Sequence, residues 1–117
     1  MMKRYVLLVG LAALLACSRS TEPAPTDVPA CIRTIIQQNG QFEKTNLHFV
    51  SIRRYLYQNR YVYFALSDCC DMYDILFDTT CQRICSPSGG FSGGGDGQCP
   101  NFFKEATGET LIWQRPQ

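Results

Sequence analysis

Five apolar positions, Val28, Cys31, Ile32, Ile35 and Ile36, recur at the i, i+3, i+4, i+7, i+8 spacing of a single helical stripe. Asp27 stands where a cap belongs, Pro29 falls in the first turn and Gly40 follows as a terminator, so the spacing predicts a short helix with Cys31 on its buried side. The pattern then changes character. Leu47 to Tyr57 and Arg60 to Leu66 are rich in β-branched and aromatic residues, and Gln58-Asn59 between them suits a tight hairpin because Asn tolerates positive φ. Tyr73 to Asp78 and Gln82 to Cys85 form a weaker strand pair around Thr79-Thr80. Leu111 to Gln114 reads as a last strand and Asn101 to Ala106 as a helical turn.

These elements predict an α+β fold in residues 30–117: one short N-terminal helix packed on a small antiparallel sheet of four to five strands. One small domain is all that such a length supports. Ahead of it, residues 18–29 are mostly Ser, Thr, Pro and Ala with no aromatic side chain, too poor in apolar surface to pack. Residues 17–29 are therefore expected to be a flexible tether.

The N-terminus changes the picture most. Lys3 and Arg4 precede an uncharged run from Tyr5 to Ala16, which has the build of an export signal. Twelve residues span only about 18 Å as helix, short of the roughly 20 residues needed to cross a bilayer. Leu14-Leu15-Ala16-Cys17 resembles the lipobox of bacterial lipoproteins. The resemblance implies a signal peptide over residues 1–16, acyl chains on the Cys17 sulfur and new amine, and a membrane-anchored mature chain. Ser18-Arg19-Ser20 lacks the aspartate of an inner-membrane retention signal, which points to the outer membrane, facing the periplasm.

Residues 1–16 hold two basic and no acidic residues, so the mature chain keeps nine Lys and Arg against ten Asp and Glu. With no basic stripe to neutralise phosphates, nucleic acid is excluded as a partner. Assigning Cys17 to lipid leaves Cys31, Cys69, Cys70, Cys81, Cys85 and Cys99, an even set that reads as a disulfide framework in an oxidising compartment. Zinc is the competing reading, from Cys81-x3-Cys85 with Cys69-Cys70, but structural sites take C-x2-4-C pairs from two places and adjacent cysteines chelate poorly. A C-x-x-C redox pair is absent.

Cys31-Ile32, Cys69-Cys70-Asp71, Ile84-Cys85-x-Pro87-x-Gly89-Gly90, Gly95-Asp96-Gly97-x-Cys99-Pro100 and Leu111-Ile112-Trp113 together resemble a family of small exported bacterial proteins catalogued only as a domain of unknown function. The likeness runs from Pro29 onward and implies no substrate. Within it Cys81 falls where a turn glycine is expected, which would make it an extra thiol and leaves the third bridge open.

The most unusual stretch is Ser86 to Cys99, with six glycines. A structural loop clamped by Cys85 and Cys99 is the plain reading. The functional one uses Asp96 with backbone carbonyls and Asp71, Asp68 or Asp74 as oxygen ligands for Ca²⁺; no other cofactor is expected. Gly90-Phe91-Ser92-Gly93-Gly94 matches a nucleophile elbow by letter only, because the sole histidine, His48, lies upstream and no large α/β sheet surrounds it. Tyr55, Tyr57, Tyr61 and Tyr63 alternate along the hairpin and offer either an aromatic contact face or cross-strand packing. The expectation is a non-enzymatic envelope module that binds a glycan or an envelope protein, with Ca²⁺ capture or a thiol-dependent activity at an unpaired cysteine as alternatives.

Overall fold

The computed structural model describes residues 27–43, 45–69 and 71–117. The leader, Cys17, the tether up to residue 26, and Cys70 lie outside the described residues. Helix α1 (Ala30–Gln37) is followed by strands β1 (Phe49–Tyr57), β2 (Arg60–Ser67), β3 (Ile75–Phe77) and β4 (Arg83–Cys85), the short helix α2 (Phe102–Glu105) and strand β5 (Thr107–Gln114). The strands form one antiparallel sheet in the order β4-β3-β2-β1-β5. This is the α+β, disulfide-stapled fold that the patterning predicts.

Helix α1 buries Ile32 and Ile35, with Cys31 and Ile36 partly buried beside them. Asp27 does not cap it: Pro29 is the N-cap without a side-chain bond, and Asp27 instead pairs with Arg54 at 2.8 Å. The guanidinium outcompetes the backbone N–H groups because it brings a full opposite charge. After the helix Gly40 takes φ 90°, and its N–H donates to Ile35 O at 2.9 Å. A side chain there would meet the Phe49 carbonyl oxygen at 2.1 Å, so only glycine lets α1 turn back against β1.

Gln58 and Asn59 both adopt positive φ, 51° and 62°, and join β1 to β2 as a two-residue turn between Tyr57 and Arg60. Strands β3 and β4 are shorter than their patterns, since Tyr73 makes only an isolated bridge with Gly89. Strand β5 is longer than expected. Its first half, Thr107 to Thr110, is exposed and pairs with β1 through the backbone, leaving no hydrophobic period to read.

Both sheet faces are covered. On the α1 side lie Val28, Ile32, Ile35, Phe49, Ile52, Tyr63, Ala65, Ile75 and Phe77. On the other lie Tyr57, Val62, Phe64, Leu76 and Phe102, with the Cys85–Cys99 pair. The glycine-rich loop and α2 thus add a third layer that a helix-on-sheet reading does not include. Two disulfides tie the layers: Cys31–Cys81 joins α1 to the β3–β4 turn, and Cys85–Cys99 closes the loop. Cys81 is therefore no extra thiol. Its φ of 59° does place it in backbone space that glycine favours.

Candidate functional site

The glycine-rich loop is held from within by Asp96. Its Oδ2 accepts from Ser86 N at 3.0 Å and from Arg83 Nη2 at 2.9 Å, while Oδ1 accepts from Gln98 N at 3.0 Å. Burial alone would raise this carboxyl, but the Gln98 and Ser86 N–H groups and the Arg83 guanidinium outweigh it and hold Asp96 below its ordinary range. Gly95, at φ 79°, lies so close to Ser86 that a Cβ would come within 2.2 Å of its carbonyl oxygen. The loop therefore folds onto its own strand, and much of its glycine content serves close packing.

The other carboxylates are spent separately. Asp74 is buried; its Oδ1 accepts from Ser67 N at 2.8 Å and its Oδ2 from Ser88 Oγ at 2.7 Å, tying the end of β2 to the loop. Asp68 pairs with Arg115 at 3.3 Å. Asp71 is exposed, with Cys69 Sγ 3.9 Å from its Oδ1. Among the described residues no three Asp, Glu, His or Cys side chains converge as a metal site would require. The structure thus does not bring Asp68, Asp71 and Asp96 together.

Gly90 to Gly94 form a tight surface turn, with Gly93 N donating to Gly90 O at 3.1 Å and Ser92 Oγ accepting from Gly94 N at 3.3 Å. That is no strand-to-helix elbow. His48 is exposed and bridges Gln41 just after α1. The four tyrosines do not share a face. Because Tyr57 pairs with Arg60, odd positions on β1 face the same way as even positions on β2. Tyr55 and Tyr57 pack edge-on against Phe102, at 5.1 and 5.2 Å between ring centroids. Tyr63 is buried under α1, and only Tyr61 is open, beneath the Arg54 guanidinium at 4.8 Å. Burial raises the Tyr63 phenol above its ordinary value, and Arg54 pulls it the other way. Four of the six candidate disulfide cysteines are paired; a third bridge or a thiol at Cys69-Cys70 falls partly on Cys70, outside the described residues.

One hollow among the described residues was not visible in the sequence. It is an open cavity of about 480 Å³ between α1 and the β3–β4 turn. Cys31, Cys81, Ile35 and Phe42 give it an apolar wall built partly from the disulfide. Thr34, Gln38, Gln41 and Thr80 supply hydroxyls and amides at its rim, and Glu43 adds one carboxylate. Apart from Glu43, the donors and acceptors over this aromatic and aliphatic floor are neutral, which suits a small ligand without negative charge and with one apolar side. No motif marks it, because its residues come from a helix end, the loop after it and a distant turn; the polar run Gln37-Gln38 beside an apolar stripe was the only signal.

A family model matches residues 38–115, and that family is described as Domain of unknown function (DUF6970). The matched stretch holds the whole sheet and both cysteines of the loop bridge, and leaves Cys31 and α1 outside it. No curated protein and no solved structure matches the chain.

Proposed function

This chain belongs to the DUF6970 family, and from that premise we propose that it is an envelope lipoprotein whose folded domain is a rigid, non-enzymatic binding module. Acyl chains on Cys17 hold it at the outer membrane, facing the periplasm, and the cavity beside the Cys31–Cys81 bridge takes its ligand. The observation that carries the binding role is that cavity, whose 480 Å³ volume lies in the range of small-ligand sites. A glycan suits it better than a protein partner: an N-acetyl methyl fits against Ile35 and Phe42, and sugar hydroxyls meet Gln38, Gln41 and Thr80. A binding role also agrees with Asp68, Asp74 and Asp96, whose oxygens already hold arginines and backbone or hydroxyl donors.

Titration of the ¹⁵N-labelled domain with chitobiose and chitotriose tests this. Amide shifts confined to residues 34–43 and 80–81, lost in Gln38→Trp, are expected. Gln38 is exposed, so the bulky replacement obstructs the cavity without disturbing the core. Unchanged spectra at millimolar sugar would contradict the glycan reading.

A further inference from the structure

The α1 side of the sheet is covered unevenly. On the β1–β2 ladder, Arg54 pairs with Tyr63, which is buried, while the next rung toward the hairpin turn on this face, Leu56 with Tyr61, stands open at 41% and 54% exposure. A leucine and a tyrosine side by side on an uncovered rung form an apolar patch with one polar tip. The chain reaches the domain at this same place. Asp27, the first described residue, bonds Arg54 at 2.8 Å, and Arg54 lies over the Tyr61 ring at 4.8 Å. Nine residues, 18–26, separate Asp27 from Cys17.

We propose that this patch, Leu56 and Tyr61 flanked by Arg54, rests on the lipid surface to which the chain is tethered. The inference rests on the lipidation of Cys17 proposed above. A link of nine residues reaches at most about 30 Å at roughly 3 Å per residue, so the attached end of the domain stays close to the headgroups. Tethering at that distance gives the surface an effective concentration on the order of millimolar, enough for a contact that two side chains could not sustain in free solution. The side chains fit the place. Tyrosine prefers the boundary between headgroups and acyl chains and Leu56 enters the apolar side of that boundary, while Arg54, neutralised by Asp27, stays stacked on the Tyr61 ring. Leu111 faces the opposite way, since it pairs with Arg53, whereas Leu56 shares its face with Tyr61.

The test uses the mature lipidated chain in vesicles of phosphatidylethanolamine and phosphatidylglycerol whose acyl chains carry bromine, a contact quencher of tryptophan. Tyr61→Trp reports the patch and Leu111→Trp the opposite face, each read against the unmodified chain with its single Trp113. Bromolipid is expected to quench the added emission at least twofold for Tyr61→Trp and to leave Leu111→Trp unchanged. Adding Leu56→Asp to Tyr61→Trp should relieve the quenching while the chain still floats with the vesicles. A chain that floats but shows no quenching at position 61, or equal quenching on both faces, overturns the docking and leaves the tether standing. A chain that does not float overturns the tether, and the docking with it.

Discussion

Asp96 shows how far a single letter can be read. An aspartate among glycines admits a metal ligand and a turn cap equally, and only the folded loop assigns its two oxygens to Ser86, Gln98 and Arg83. Its folded-state pKa lies below the ordinary 3.8. The carboxylate therefore contributes stability that is fully present above that value and is lost as pH falls below it. Asp96→Asn should cost about 1–3 kcal/mol near neutral pH, since charge-assisted bonds are replaced by weaker ones. The gap between wild type and variant should close as pH drops below 3.8. Urea unfolding at a series of pH values measures both. Cys81 is the converse case: expected as an extra thiol, it is bonded, and its partner Cys31 could not be read because pairing depends on how a helix lands on a turn 50 residues away.

At the scale of elements, periodicity located what it is able to locate. Helix α1 and the β1–β2 hairpin carry strong apolar patterns and appear where those patterns place them. The start of β5 carries none, because an edge strand can be held by backbone bonds alone. The tyrosine face failed for a geometric reason: a two-residue turn switches the parity of inward positions, so regular spacing in the sequence becomes two opposite faces in the sheet. The turn itself is open to improvement. Gln58 at φ 51° and Asn59 at φ 62° occupy a conformation that Asn-Gly adopts with less strain. Gln58→Asn with Asn59→Gly should raise stability by about 1 kcal/mol, visible as a melting temperature roughly 4–8 °C higher for a domain of this size.

For the molecule as a whole, the sheet has two covered faces, and the second cover is a loop with almost no hydrophobic pattern of its own. Phe102 explains how so polar a segment can be a layer: one buried ring meets Tyr55, Tyr57 and Phe64, and the Cys85–Cys99 bond fixes the chain just ahead of it. The cavity against α1 was illegible for a related reason, being assembled from two distant stretches, residues 31–43 and 80–81. The proposed address rests on one short stretch, Leu14-Leu15-Ala16-Cys17. With it stand or fall the proposed oxidising compartment, the proposed tether and the proposed presentation of the domain at a membrane. Intact-mass analysis of the protein extracted from its own envelope tests this most directly. The expected species begins at Cys17, lacks residues 1–16 and carries three fatty acyl groups. A chain that retains its first 16 residues, or one that starts at Cys17 with no acyl mass, would contradict it.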